Sequence, residues 1–337
     1  MDRSAERKIC RAMNDIDAIN KLKKLVGQPF NYKIEAETEQ CTELNLTSPD
    51  YLFQGLIRHH SQIEKEEILG LIAKMTNLRY LNLRRCKLKK IGPELGALSR
   101  LNFLDIASND LGKVPDWINE IDDLNYLNVG VNQLTGLPVF LSKFHNIKNL
   151  LVHKNMIPVF HDEYAAFTQL EELNFYFNQI PKIPDFVFDF RKLATLSWGV
   201  SKVTELPEGI GRLTNLKYLT YVANAIETLP DSYCNLSSLV ATRLHKNKLK
   251  RLPENIGNLQ NLEQITLYQN NLKALPESFN ELQKLRKLNL SWNDFEEFPP
   301  QVTKLENLKW FAYFYNAPCS IPDLRHIPEL ALEKTLN

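Results

Sequence analysis

The histidines, cysteines and carboxylates of this chain are the groups from which a catalytic or metal site would be built, and their spacing builds none. The five cysteines (Cys10, Cys41, Cys86, Cys234, Cys319) are odd in number, widely separated and without a C-x-x-C pair. That fits reduced structural thiols rather than a disulfide framework or a zinc site. No P-loop, no G-x-G-x-x-G after a strand, no H-E-x-x-H and no G-x-S-x-G is present. The adjacent pair His59-His60 is expected to be solvated, and Asp105 and Asp110 lack a histidine or cysteine beside them to complete a nucleophile and base. The expectation is a protein that is not an enzyme and uses no cofactor or metal. Three N-x-S/T triplets, at Asn45, Asn235 and Asn289, arise from the placing of Leu beside Asn and are read as chance.

The residue types that do stand out are Leu, 53 of 337, and Asn, 32 of 337, and their cause is positional. Segments starting at Leu78, Leu101, Leu124, Ile147, Leu170, Leu193, Leu216, Leu239, Leu262, Leu285 and Leu308 follow one another at 23 residues without an insertion. Numbering each segment from slot 1, slots 4 and 6 are apolar and alternate with polar residues, which marks a short strand with one side in the core. Slot 9 is Asn in nine of the eleven segments, where the chain leaves the strand and an amide can both donate and accept. Slot 15 is Pro in nine, which sets up a short helical turn, and slot 16 is acidic in eight, as a helix N-terminus prefers. One such unit cannot bury its own leucines, so stacked neighbours must share a continuous core with special ends.

The resulting pattern, L-x-x-L-x-L-x-x-N-x-L-x-x-L-P-x-x-I-x-x-L, seen nearly complete in Leu262 to Lys284, resembles the leucine-rich repeat. Its L-P-x-x-I-x-x-L half is similar to the cytoplasmic and bacterial subclass, as in Ras-suppressor-like, scribble-like and bacterial repeat proteins. The resemblance implies an α/β fold: a right-handed solenoid, or horseshoe, with a parallel concave β-sheet and an N-terminal helical cap. The expected organisation is a helical and β cap over 1–40 and a degenerate first repeat over 41–77 with a 14-residue insertion around Tyr51 to Glu66. Eleven repeats over 78–323, the last partial, and a C-terminal cap over 324–337 complete it. Departures are few: Cys86 and Ser201 at slot 9, Thr242 at slot 4, Gly92 and His161 at slot 15. Ser201 has less hydrogen-bonding capacity than Asn, so the turn after Trp198 is expected to be a looser ladder position.

In the family, slots 3, 5, 7, 8 and 10 line the concave face where members bind. Eleven aromatics fall there: Tyr80, Phe103, Tyr126, Tyr176, Phe177, Tyr218, Tyr268, Trp292, Trp310, Phe314 and Tyr315. Adjacent parallel strands lie about 4.8 Å apart, so Tyr80, Phe103 and Tyr126, all in slot 3, should touch. Trp292, Trp310, Phe314 and Tyr315 have a second reading, in which the tail Leu324 to Leu332 folds over them as a cap. His153 and His245 share slot 7 but are four repeats, roughly 19 Å, apart and cannot share a metal. Nine cations (Arg84, Arg85, Lys87, Lys154, Lys202, Arg243, Lys246, Lys248, Lys287) face four carboxylates (Asp105, Asp110, Glu172, Asp294), an excess of five in a chain whose net charge is only +1. The expected partner is a protein, with an acidic surface, bound by these aromatics together with Arg84, Arg85, His153, Arg243, His245 and Lys246.

A bacterial surface or secreted protein using the same face on a host molecule is the alternative, with carbohydrate or nucleic acid behind it. The balanced charge argues against a surface built for nucleic acid. No run of 18 apolar residues and no apolar signal core near Met1 occurs, so the chain is expected to be cytoplasmic, with secretion by a non-classical route as the other possibility.

Overall fold

The computed structural model describes residues 14–47, 56–200 and 203–332. They form two compact units, one ending at Tyr126 and one beginning at Leu127. The first opens with helix α1 (Asp15–Val26), whose N-cap Asn14 accepts the Asp17 amide and which stops at Gly27 in the left-handed region, φ 68°. It buries Ala18, Ile19, Leu22 and Val26. Ile16 and Leu25 on the same helix are only half-buried, because the contact line follows the helix's own 3.6-residue turn. Ile9, Cys10 and Met13 lie outside the described residues.

Strands β1 (Asn31–Glu35) and β2 (Gln40–Asn45) pair antiparallel, so the sheet of this unit is not wholly parallel. Four intervening residues suffice for a hairpin and are far too few for a crossover. From β2 onward the pairing is parallel: β2 with β3 (Tyr80–Asn82) and β3 with β4 (Phe103–Asp105), Leu44 lying opposite Leu81 and Leu81 opposite Leu104. The described part of the insertion is a turn followed by helix α2 (Gln62–Ile72), started by a capping box between Ser61 and Glu64. Ile68, Ile72 and Met75 are fully buried.

Strand β5 (Tyr126–Asn128) begins on the last residue of the first unit. In the second unit β6 (Asn149–Leu151), β7 (Glu172–Asn174), β8 (Thr195–Gly199), β9 (Tyr218–Val222), β10 (Ala241–Arg243), β11 (Gln264–Thr266), β12 (Lys287–Asn289), β13 (Trp310–Ala312) and β14 (Glu329–Ala331) pair in sequence order, all parallel. Slot 4 aligns across it: Leu150, Leu173, Leu196, Leu219, Thr242, Ile265, Leu288 and Phe311 are successive partners. On the opposite side, single 3-10 turns start at slot 16 behind prolines such as Pro184, Pro207, Pro230 and Pro276. Between the layers lies a core of fully buried leucines and large aromatics such as Trp198, Tyr221 and Tyr233. Thr242, the departure at slot 4, is matched to that core: the buried Tyr233 hydroxyl is 2.8 Å from its Oγ1.

The slot-9 asparagines do more than close their own turns. Asn270 accepts the Leu249 amide through Oδ1 and donates through Nδ2 to the carbonyls of Leu244 and Leu267. Asn155, Asn178, Asn247 and Asn293 repeat this, each reaching one repeat back. At Cys86 the thiol offers only a weak contact to the Arg84 carbonyl, 3.6 Å. There the buried Lys65 of α2 reaches in and donates to the Lys87 carbonyl at 3.1 Å. Ser201, whose turn was expected to be looser, lies outside the described residues.

Candidate functional site

Every repeat leaves its strand through a left-handed residue at slot 8. Arg85, Ser108, Val131, Lys154, Phe177, Val200, Ala223, Lys246, Gln269, Trp292 and Tyr315 all have φ between 52° and 62°. A left-handed residue there swings the chain from the strand into the turn. Slots 3, 5 and 7 point away from the core on the face opposite the 3-10 turns, so slots 3, 5, 7 and 8 form parallel rows across the strands.

In the first unit Tyr80, Phe103 and Tyr126 stack in one row, with 4.1 Å between successive ring centroids and 12° between planes. Burial, as the largest cause, pushes the Tyr80 phenol up. Glu43 of β2 lies beside Tyr80 in register, and Asn31, Tyr32, Glu43, Asn45 and Tyr80 line a cavity of about 350 Å³. Glu43 was missed by sequence reasoning, although Leu44 at slot 4 already placed it at slot 3. Arg84 lies 4.0 Å from Asp105, and Arg85 is exposed at slot 8. Asp105, counted as a charge on the face, is in fact 4% exposed and accepts the Ala107 amide. Its site favours this, because slot-5 Asn82, Asn128 and Asn174 likewise accept the amide two residues on.

In the second unit His153 lies over Gly130, where a Cβ would stand 2.4 Å from its ring. Tyr176 lies over Gly199 in the same way, at 3.2 Å, and its neighbour Phe177 is exposed. Tyr218, flanked in its row by Thr195 and Ala241, has no ring to stack on and is 50% exposed. His245 stacks on Tyr268 at 4.3 Å and 11°, with Nδ1 3.3 Å from Thr266 Oγ1. Burial first, then Lys246 and Arg243, lower its pKa to about 4, so it is neutral at pH 7. Trp292 stacks on Tyr315 at 3.8 Å, the two being 46% and 50% exposed, and Phe314 meets Tyr315 edge-on.

Lys246, Tyr268, Gln269, Asn289, Ser291, Trp292 and Phe314 line an open surface cavity of about 300 Å³. Gln269, Asn289 and Ser291 occupy face slots but, being neither aromatic nor charged, carried no signal in the sequence. Arg243, Lys246 and Lys287 are exposed and make no ion pair among the described residues. Trp310 is half-buried between Lys287 and Glu329 in register. The tail does not fold over this group as a cap: β14 extends the sheet beside β13, seated by buried Leu324 and Ile327. Unsatisfied strand amides at the sheet edge favour that course over a lid. Lys202 lies outside the described residues.

His60 is not solvated: its Nε2 is 2.8 Å from the Leu25 carbonyl at the end of α1. Burial pushes the thiols of Cys41 and Cys234 up to about 11 and that of Cys86 up to about 12, so all three are protonated and poor nucleophiles at neutral pH. Among the described residues no three His, Cys, Asp or Glu are grouped to hold a metal, and no helix is long and apolar enough to cross a membrane.

The sequence pattern described as a leucine-rich repeat region matches residues 57–185 and 185–271, and a leucine-rich repeat matches 284–305. A search of curated proteins finds no match. Among solved structures, the chain is similar to a leucine-rich repeat protein of Leptospira interrogans, with 27% identity, TM-score 0.66 and coverage of 78% of this chain and 74% of that one. An internalin, InlF, of Listeria monocytogenes has the same fold at 17% identity, with TM-score 0.71 and coverage of 96% and 95%. So does the plant peptide hormone receptor RGFR1, in complex with RGF2, at 22% identity and TM-score 0.58, covering 78% of this chain and 53% of that one. With the pattern matched over more than half its length and in register with the strands, the chain belongs to the leucine-rich repeat family.

Proposed function

We propose that the chain is a non-enzymatic protein-interaction module that holds its partner on the sheet face opposite the 3-10 turns. One observation carries the reading: Trp292 and Tyr315, already stacked on each other, stand about half exposed, and Lys246, which lines a cavity with Trp292, has no ion pair among the described residues. Aromatic rings fixed by stacking offer contact area without the entropy loss of flexible chains, and such residues dominate interface hot spots. The plant receptor of the same fold is held with a partner, which supports the general mode and not its detail.

The test is a photo-crosslinking amino acid placed at Tyr218 or Tyr315 on the face, or at Asn280 on a 3-10 turn, in cells that naturally make the protein. Adducts to a common partner are expected from the first two sites. Adducts from Asn280 alone would move the site to the other side of the repeat. A host-facing version, in which the partner belongs to another organism's surface, is compatible with the fold shared with the internalin InlF. Protease shaving of intact producing cells separates it from a cytoplasmic version: digestion of the chain is expected only if it is displayed.

A further inference from the structure

We infer that the cavity between Tyr268 and Trp292 receives one planar side chain from an acidic peptide segment of the partner; this rests on the reading of the face as a protein-binding surface. The ring of Tyr268 has one face covered by His245, and that of Trp292 has one face covered by Tyr315. Both residues also line the cavity, together with Phe314. Three aromatic residues around a space of about 300 Å³ suit a single large flat side chain, held by offset or edge contacts. The polar lining, the Gln269 and Asn289 amides and the Ser291 hydroxyl, gives hydrogen-bonding groups to orient it.

Charge selects the surroundings of that side chain. Lys246 lines the cavity, Arg243 stands two strands from Asn289 in the slot-5 row, and Lys287 is two residues before Asn289 on β12. In the repeats of β10 to β12 no carboxylate occupies slots 3, 5, 7 or 8, and Asp294 at slot 10 accepts from the Asn271 amide at 3.0 Å and pairs with none of the three cations. Three cations without a counter-charge steer and hold carboxylates of the incoming segment. The same chemistry also attracts single-stranded nucleic acid, but three cations beside one cavity make no groove that tracks a phosphate backbone. An acidic peptide is therefore the occupant assigned.

The test is a display library of random peptides about 12 residues long, selected on the full chain, with the enriched peptides then made as fluorescent probes. An aromatic residue flanked by Asp or Glu is expected in the enriched set. Affinity for those probes should fall about tenfold or more in Trp292→Ala and in the double variant Arg243→Glu, Lys246→Glu, fall again between about 50 and 500 mM salt, and stay unchanged in Asn280→Ala, on a 3-10 turn. All four positions are at least partly exposed, and an unshifted thermal midpoint verifies each variant's fold. Failure of any peptide to enrich, enrichment without acidic or aromatic residues, or insensitivity to Trp292→Ala overturns the assignment. An oligothymidine probe that displaces the peptides, and is lost in the same variants, overturns it in favour of nucleic acid. If face adducts from Tyr218 and Tyr315 still form in any of these cases, only the acidic aromatic chemistry is wrong; if they too are missing, the face reading falls with it.

Discussion

Val131 is a β-branched residue held at φ 56°, a conformation that its side chain disfavours by about 1–2 kcal/mol. It sits there because slot 8 has this geometry in every repeat. Val131→Asn keeps the backbone and removes the branching, so chemical denaturation should show a gain of about 1 kcal/mol; a loss would mean that valine packing outweighs the strain. His245 makes a second prediction at this scale. Its folded pKa, about 4, lies below the ordinary 6.5, so between these values the unfolded chain binds more protons than the folded one. Its contribution to stability is therefore constant above about pH 6.5 and declines as pH falls toward 4. In His245→Phe, where a ring still stacks on Tyr268, the thermal midpoint should lose that part of its acid slope; equal slopes in both proteins would mean that other groups set it.

At the scale of the element, the Asn row ties each turn to the one before it. Asn270→Ala would leave the Leu249 amide and the Leu244 and Leu267 carbonyls short of a buried partner, and should cost about 3 kcal/mol in urea unfolding. Asn316 is less buried and donates to Leu290 from the last turn of the array, so Asn316→Ala should cost clearly less. Equal costs would show that the row does not act by joining neighbours. The 23-residue spacing made these elements legible: each strand from Tyr80–Asn82 to Trp310–Ala312 starts at slot 3, and the 3-10 turns follow slot 15. The elements that break the period were less legible. The helix α2, the Lys65 ammonium standing in at Cys86 and the hydroxyl pair of Tyr233 and Thr242 each depend on residues brought together from different repeats or from outside the array.

Across the whole molecule, stability in such an array is a sum over repeats and their nearest-neighbour interfaces. Leu267→Ala, a fully buried truncation, should cost roughly 2–5 kcal/mol. Hydrogen exchange should then rise first in the amides of its own and adjoining repeats, from Leu244 to Leu290, and leave those around Leu173 protected; uniform loss would mean global cooperativity. By contrast Tyr218→Ala, on the exposed face, should move the midpoint by no more than about 0.5 kcal/mol. The sequence by itself determined the period, the strand and turn positions and the core leucines, because a fixed interval puts equal slots in equal environments. Only the tertiary structure decided which face charges are free and which rings are available. Asp105 was buried beside Arg84, His245 lost its charge to burial and its cationic neighbours, and Trp292 and Tyr268 came to line one cavity. Those outcomes turn on what stands in the same slot one strand away, a pairing that becomes contact only when the sheet forms.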